Sequence, residues 1–139
     1  MSKLVAQLKR HEGVRSHVYL CSAGYETIGV GRNIAESGLG LSDDEIDYLL
    51  ENDIKRCKQE LIALSWFMDL DAVRQDAIVN LCFNLGLTRL MGFKNAMAAM
   101  AVGDYAKARD EFYDSRWAKQ VGSRAEEVCE MIRTGRYPE

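Results

Sequence analysis

The chain has 139 residues, of which 47% are hydrophobic and 28% charged, and its formal net charge is -3 at pH 7. This length and composition are typical of one globular domain with an ordinary apolar core, or of one domain divided into two lobes. The slightly acidic balance argues against a protein that wraps duplex nucleic acid, because such proteins are usually basic overall.

The N-terminal part of the chain predicts a short helix followed by a hairpin. Ser2 is a suitable helix cap, and the apolar residues after it recur at helical spacing. Two β-prone segments then flank a turn that contains Gly24. The predicted order is helix 2–11, strands 18–20 and 27–30 around a turn at 22–24, and a loop at 33–41.

A long helix and several shorter helices follow the loop. Ser42 and Glu45 form a capping-box pattern, and apolar residues recur at helical spacing after it. This helix is predicted to have about 20 residues, or on the order of 30 Å, and can link two lobes. Five further helices are predicted. The first is capped by Asp71 and stopped by Gly86, and the last begins at a second capping box, Ser123–Glu126, and ends at Gly135. The three between them span 92–102, Asp104 to about 114, and 115–120.

The predicted fold class is therefore α+β, with a small hairpin lobe and a larger helical lobe in a single domain. A cleft between the lobes is the default binding site. The predicted parts are a small β-containing lobe at 12–41, a connecting helix at 42–64, and a helical lobe at 65–139 on which the N-terminal helix 2–11 packs.

The four cysteines are widely spaced and contain no CxxC pair. Their spacing leaves disulfides open, but free buried thiols are the favoured interpretation. The two histidines lack the HxxxH spacing of a zinc helix, so we expect no metal and no cofactor. The first residues contain no long apolar run, and we expect no signal peptide, no transmembrane segment and no stable membrane anchoring.

The stretch from Glu12 to Gly31 carries the strongest functional signal. Glu12 ends the first predicted helix, where a carboxylate is unfavourable with the helix dipole, which hints at a local reason for it. Cys21 and Thr27 face each other across the hairpin turn, where a thiol or hydroxyl can hold or activate water. Cleaving a glycosidic bond needs an acid and usually a second group, so these residues indicate a hydrolase, although each alone is more often an ordinary surface or strand residue.

Other patterns predict weaker chemistry or none. A nucleophilic pair of Cys21 and His17 has poor geometry, since the two residues are four apart in a strand. Basic residues near the C-terminus alternate with acidic ones and favour a solvated helix face. Met91, Met97 and Met100 recur at helical spacing and are predicted to be core.

Taken together, the chain resembles the phage-type lysozymes of glycoside hydrolase family 24, the T-even phage lysozyme group. The intervals between Glu12, Cys21 and Thr27 match the family's catalytic motif, and so do the flanking strings EGxRxxxY and TIGxG. The resemblance covers essentially the whole chain. Further matches are Asp71–Arg74, Asn80, Phe83–Gly86, Gly92–Phe93, Asn95, Ser115–Trp117, Arg124–Ala125 and Arg133–Gly135.

The resemblance implies a lysozyme-like fold and a glycoside hydrolase that uses Glu12 as general acid. It implies that Thr27 helps to position water and that Cys21 assists on the opposite face. Because an aspartate is commonest at the Cys21 position, three roles stay open: thiolate, nucleophile or polar wall. Inversion and retention of configuration stay open with them. Glu26 is a possible substitute carboxylate, but strand alternation puts it on the opposite face from Thr27.

The resemblance also implies a set of substrate-binding residues: Gly31, Arg32, Phe83, Asn84, Asn95 and Arg124. Arg124 is expected beside Glu12. Arg32 stands where many relatives carry a histidine, and it is expected to pair with Asp53 on the long helix. The short loop at 33–41 predicts fewer strands in the small lobe than the family usually has.

The implied function is cleavage of the β-1,4 bond between N-acetylmuramic acid and N-acetylglucosamine in bacterial peptidoglycan, for lysis of a phage host. We expect a monomer without a nucleic-acid partner, which waits in the host cytoplasm until a holin permeabilises the membrane and then acts on the wall in the periplasm. The first alternative is a non-catalytic peptidoglycan-binding protein with a lysozyme fold. The second is a structural or partner-binding helical protein, which requires the Glu12 and Thr27 match to be accidental.

Overall fold

The structure, a computed structural model, describes residues 2–138 and consists of two compact units. They are Met1–Leu49, called the small unit below, and Leu50–Glu139, called the large unit. Within residues 2–138 there are helices in both units and one small sheet, so the predicted α+β class is confirmed. The elements are α1 Lys3–Glu12, β1 Arg15–Leu20, β2 Glu26–Gly29, β3 Arg32–Asn33, α2 Asp43–Leu61, α3 Ala72–Leu85, α4 Leu87–Met91, α5 Lys94–Ala101, α6 Tyr105–Tyr113, α7 Arg116–Val121 and α8 Ser123–Thr134.

Helix α1 begins and ends as the sequence predicts. The Ser2 hydroxyl accepts a hydrogen bond from the Val5 N–H at 3.2 Å, which satisfies one of the free donors of the first turn. Gly13 ends the helix with φ 79°, and its N–H donates to the Lys9 carbonyl. None of the helix's residues is buried, and its packing on the helical lobe stays a prediction.

The sheet of the small unit is antiparallel, with the strand order β1-β2-β3. Tyr19 pairs with Thr27, and an irregularity in β1 separates this pair from the pair of Arg15 and Gly29. The predicted hairpin is confirmed. A third strand, β3, was not predicted: Asn33 pairs with Thr27 although the sequence read as loop from this residue onward.

Helix α2 starts with the predicted capping box. The Ser42 N–H donates to Glu45 Oε1 at 2.9 Å, and the Glu45 N–H donates back to Ser42 Oγ at 3.4 Å. The helix has 19 residues, close to the predicted length. Its two buried residues are Cys57 and Leu61, one helical turn apart near its C-terminus.

The large unit is built around α3, which Asp71 caps by accepting a hydrogen bond from the Arg74 N–H at 3.1 Å. Helix α8 packs on α3, α6 and α7, and α5 packs on α6. The bulkiest fully buried side chains of this core are Phe67, Phe112, Leu61, Ile78, Leu81, Leu90, Met100, Ile132, Val128 and Cys129.

Two local predictions for the large unit were wrong, and one short helix was not predicted. Ser123 does not form a capping box, because Gly122 occupies the N-cap position and Ser123 already lies inside α8. A five-residue helix, α4, follows directly after Gly86 where only a helix stop was expected. Met91 is 41% exposed at the end of α4, whereas Met97 and Met100 are buried as predicted.

None of the helices within residues 2–138 is both long enough and apolar enough to cross a membrane.

Candidate active site

Glu12 is the last residue of α1, and its carboxylate lies against Gly31. A Cβ atom added to Gly31 would come within 2.7 Å of Glu12 Oε2 and 3.0 Å of its carboxyl carbon. Gly31 also has φ 66°, a backbone conformation that residues with a side chain rarely adopt. The turn between β2 and β3 therefore approaches the candidate acid through backbone alone, and Glu12 stays exposed beside it.

Cys21 lies in the turn that follows β1 and is half-buried. The turn is closed by hydrogen bonds from the Cys21 N–H to the Tyr25 carbonyl at 3.0 Å and from the Gly24 N–H to the Cys21 carbonyl at 2.8 Å. Backbone donors of the turn, first at Tyr25 and then at Ala23, lower the pKa of Cys21 below its ordinary value, against a smaller opposing effect of burial. The thiolate form is therefore more accessible here than in an ordinary cysteine.

Thr27 is the buried polar residue of the sheet, with 2% of its surface exposed. Its hydroxyl donates to the Tyr25 carbonyl at 2.8 Å, and the same carbonyl accepts from the Cys21 N–H. The structure therefore brings Cys21 and Thr27 together, as the sequence indicates. His17 instead hydrogen-bonds to Ser16, with 3.0 Å between its Nδ1 and the hydroxyl, so the alternative pair of Cys21 and His17 is not formed.

Strand β2 connects the Cys21–Thr27 pair to the Glu12–Gly31 pair. The backbone from Thr27 to Gly31 spans at most about 14 Å even when fully extended. Glu26 is exposed whereas its neighbour Thr27 is buried, so the two side chains lie on opposite faces as predicted. The small unit therefore holds both the candidate acid and the pair of Cys21 and Thr27.

Arg32 is half-buried in β3, and its guanidinium makes three hydrogen bonds within its own unit. It donates to both carboxylate oxygens of Glu45, at 2.9 and 2.6 Å, and to the Gly40 carbonyl at 3.0 Å. The predicted partner was wrong, since Asp53 binds Arg56 at 2.7 Å instead. Hydrogen bonds from the Ser42 N–H, the Ser42 hydroxyl and Arg32 lower the pKa of Glu45 to about 2. Arg32 therefore ties β3 to the start of α2.

In the large unit, Arg124 and Phe83 line one cavity of about 460 Å³. The Arg124 guanidinium donates to Asn80 Oδ1 from Nε at 3.0 Å and from Nη2 at 2.8 Å, and this fixes its direction. Phe83 is 45% exposed although it is aromatic. The remaining wall combines aliphatic and polar side chains: Leu50, Ile54, Lys58, Asp76, Val79 and Tyr137.

The other two candidate binding residues of the large unit lie elsewhere. Asn84 is exposed, and its Oδ1 accepts a hydrogen bond from the Trp117 indole N–H at 2.7 Å. Asn95 lines a separate cavity of about 330 Å³ beside Phe93. The structure therefore brings Phe83 and Arg124 together, but not Asn84 and Asn95.

Sequence reasoning missed the residues that orient these side chains. Asn80 holds Arg124, and Trp117 holds Asn84, but neither was named as a support. A signal for Asn80 exists in the sequence, because it lies one helical turn before Phe83 and Asn84 on α3. Trp117 carried no such signal, since it belongs to a different helix.

Within residues 2–138, His, Cys, Asp and Glu side chains form no group of three or more that could hold a metal ion.

Comparison with known proteins identifies a family. The profile described as Phage lysozyme matches residues 9–134. Probable T4-type lysozyme 1 of Dictyostelium discoideum is 26% identical, over 97% of this chain and 96% of that protein. The Endolysin of Acyrthosiphon pisum secondary endosymbiont phage 1 is 31% identical, over 84% of this chain and 80% of its own length.

A third relative is a larger protein. The Pre-baseplate central spike protein Gp5 of Enterobacteria phage T4 is 28% identical over 95% of this chain, which spans 28% of the length of Gp5. The family match contains Glu12, Cys21, Thr27 and every candidate binding residue up to Arg124. The resemblance to phage-type lysozymes is thus confirmed: the chain belongs to the phage lysozyme family, the lysozyme-type glycoside hydrolases that act on peptidoglycan.

Proposed function

We propose that this chain is a muramidase that cleaves the β-1,4 bond between N-acetylmuramic acid and N-acetylglucosamine, with Glu12 as general acid. The observation that carries the proposal is the contact between the Glu12 carboxylate and Gly31, in the unit that also holds the Cys21–Thr27 pair. Family membership supports the substrate, and the geometry supports the choice of acid.

Glu12 has the properties that a proton donor to a glycosidic oxygen needs. Its carboxyl group is exposed, so a saccharide can reach it, and the neighbouring Gly31 has no side chain to compete for the space. Protonation of the leaving oxygen generates an oxocarbenium-like transition state, which a second group on the other side of the sugar must stabilise or attack.

Cys21 is the proposed second group. Donors from the backbone and from Thr27 lower its pKa, so the thiolate is more accessible here than in an ordinary cysteine. A thiolate places a negative charge where an aspartate stands in most relatives. This favours the charged roles, which are electrostatic stabilisation or nucleophilic attack, over a neutral polar wall. Thr27 is then proposed to position the Cys21 side chain and the water molecule that takes part in hydrolysis.

The remaining candidates are proposed to bind the glycan. Phe83 offers an exposed aromatic face, and the Arg124 guanidinium is pre-oriented by Asn80. Asn84 and Asn95 are exposed amides that can donate to and accept from sugar hydroxyls. Arg32 contributes by holding the β3 end of the turn that carries Gly31, because it makes hydrogen bonds to Glu45 and Gly40.

The test is hydrolysis of purified Gram-negative peptidoglycan by wild type, Glu12→Gln and Glu26→Gln. General acid catalysis contributes about 100- to 10,000-fold, so Glu12→Gln should lose activity by that factor. Glu26→Gln removes the same charge from an exposed position at the start of β2 and should keep activity. Borohydride reduction of the products should label muramic acid rather than glucosamine ends.

Two results would contradict the proposal. Full activity of Glu12→Gln would remove its role as acid, and labelled glucosamine ends would reassign the bond. Wall binding by folded wild type without release of fragments would favour the alternative of a non-catalytic peptidoglycan-binding protein. Cys21→Ser and Cys21→Asp then separate the roles at the second position: unchanged activity of Cys21→Ser counts against a thiolate, and a gain in Cys21→Asp indicates a stabilising charge.

We also propose that the protein lyses a bacterial host during phage release, as a monomer that reaches the wall from the cytoplasm once a membrane pore has formed. The relative named Endolysin supports this role. Expression in a Gram-negative host should leave cells intact until a pore-forming agent is added. Glu12→Gln should leave them intact afterwards as well, and lysis without the agent would refute the need for a pore.

A further inference from the structure

Two cysteines of the large unit border the same cavity. Cys57 is on α2 and Cys82 is on α3, and both residues line a cavity of about 270 Å³. Both side chains belong to the buried core, with 7% of Cys57 and 3% of Cys82 exposed. The neighbouring Cys57 also raises the pKa of Cys82, so the two thiols influence each other.

A cavity gives small molecules access to this pair. It has a volume of about 270 Å³, and both Cys57 and Cys82 form part of its wall, together with Phe83 and the ion pair of Asp53 and Arg56. Core cysteines usually face packed apolar atoms on every side, which keeps reagents away. Here both cysteines line a cavity whose wall also carries charged side chains.

We propose that Cys57 and Cys82 form a dithiol modification site, which a small disulfide compound converts into an intramolecular disulfide between α2 and α3. This site is independent of the proposed muramidase activity, since neither cysteine has a role in it. All four cysteines are free in the structure, so the structure represents the reduced form.

The chemistry consists of two exchange steps with an external disulfide, RSSR. Cys57 loses its proton and attacks one sulfur of RSSR, which gives a mixed disulfide and releases one RSH. Cys82 then loses its proton and attacks the Cys57 sulfur, which forms the Cys57–Cys82 bond and releases the second RSH. Two electrons pass from the two protein thiols to RSSR, and both thiol protons end on the released RSH molecules.

The order of the steps follows from the surroundings of each thiol. Cys57 is the more exposed of the two and reacts first. Burial, together with the neighbouring Cys57, raises the pKa of Cys82 to about 12, so Cys82 is a poor nucleophile towards a molecule in solution. As the second thiol it needs no diffusing partner, because its target lies next to it.

The other two cysteines provide internal controls. Cys129 is 1% exposed, and burial raises its pKa to about 11. Cys21 lies in the small unit, where it is half-buried and its hydrogen-bond partners are Tyr25, Ala23 and Thr27 rather than another cysteine. A small disulfide can therefore attach to Cys21 as a mixed disulfide, whereas an internal link is expected for Cys57 and Cys82 alone.

The experiment treats the folded full chain with oxidised glutathione, alkylates the remaining thiols in denaturant, and maps the peptides by mass spectrometry. A peptide pair joined through Cys57 and Cys82 should appear, lighter by two hydrogen atoms than the sum of its reduced parts. The link should disappear with dithiothreitol. Cys57→Ser and Cys82→Ser should abolish it, and the matched core variant Cys129→Ser should keep it.

Three outcomes would overturn the proposal. In the first, glutathione stays attached to Cys57. In the second, Cys57 and Cys82 both remain reduced. In the third, the link forms only when urea unfolds the chain. The first would mean that the sulfurs cannot approach to bonding distance, and the second that the cavity gives no access. These readouts use the wild-type chain, so they decide the question even where a serine variant folds poorly.

Discussion

The small and the large unit differ in what holds each of them together. Every buried apolar side chain found among the described residues belongs to the large unit, whereas Thr27 is the buried residue of residues 2–49. The small unit relies on a short backbone ladder, the Ser42–Glu45 capping box and the Arg32–Glu45 ion pair. Stability is therefore concentrated in one unit and the proposed chemistry in the other, a common division between rigid scaffold and reactive loops.

The largest expected effect on the free energy of unfolding comes from opening a cavity in the core of the large unit. Phe112 is fully buried, and its ring centroid lies 5.3 Å from that of Phe93. Phe112→Ala should lower the free energy of unfolding by about 3–5 kcal/mol. The control Phe83→Ala removes the same group from a residue that is 45% exposed and should change stability by about 1 kcal/mol or less. Urea unfolding measures both, and equal losses would contradict the assignment of the core.

The next prediction concerns Gly31, whose contact with Glu12 belongs to the site rather than to the core. Gly31→Ala would push the Glu12 carboxylate away, and displacement of about 1 Å can cost on the order of 100-fold in rate. Gly103→Ala is the matched control, since Gly103 also has a positive φ, 76°, but open space around it, and it belongs to the large unit rather than to the Cys21 turn. Both variants should lose about 1–2 kcal/mol of stability, and only Gly31→Ala should lose wall hydrolysis. Loss of activity in both would assign the effect to backbone strain.

A smaller effect separates the two capping-box sequences, one in each unit. Ser42→Ala should cost about 1 kcal/mol, because the Glu45 N–H loses its acceptor. Ser123→Ala should be nearly neutral, since Gly122 and not Ser123 is the N-cap of α8. Thermal unfolding of the two variants is the measurement. A comparable loss in Ser123→Ala would mean that its hydroxyl does cap the helix.

The smallest expected effect is a pH dependence that arises in the small unit. The pKa of Glu45 is about 2 in the folded chain and 4.5 when unperturbed, so the folded state favours the ionised carboxylate. Its contribution to stability is present above pH 4.5 and is lost as the pH falls towards 2. Glu45→Gln should therefore flatten the decline of the unfolding midpoint in this window. Glu36→Gln, which removes an exposed carboxylate from the same unit, is the control, and an equally steep decline in Glu45→Gln would contradict the assignment.

The sequence predicted best the features that depend on neighbouring residues. Ser2, Ser42 and Asp71 cap their helices as expected, because a cap requires only a side chain and an N–H three residues later. The proximity of Cys21 and Thr27 was also predictable, since a tight turn between two strands leaves little freedom.

Features that depend on distant residues were predicted less well. Strand β3 has two residues and exists because Asn33 and Arg32 pair with β2, which no local pattern reveals. Arg32 was expected to pair with Asp53, but α2 carries several acidic residues, and helical spacing alone does not say which turn of the helix lies beside β3. Glu45 binds Arg32, while Asp53 binds Arg56 within its own helix.

Single-residue exceptions account for the remaining errors. Gly122, with φ 59° and ψ -119°, occupies the N-cap position of α8, which the capping-box pattern had assigned to Ser123. Gly86 ends α3, but its backbone also starts α4, so one glycine serves as both stop and start. In both cases the conformational freedom of glycine overrode a pattern read from side chains.

The hydrogen bond between Trp117 and Asn84 also places an intrinsic fluorophore beside a candidate binding residue. Trp117 is 4% exposed, and its indole N–H donates to an exposed amide next to Phe83. A sugar that competed for the Asn84 oxygen would change the polarity around a shielded indole, whereas the second tryptophan, Trp66, is half-buried at a different place in the chain. Under the proposed glycan-binding role of Asn84, emission from Trp117 would therefore report glycan occupancy without an added dye.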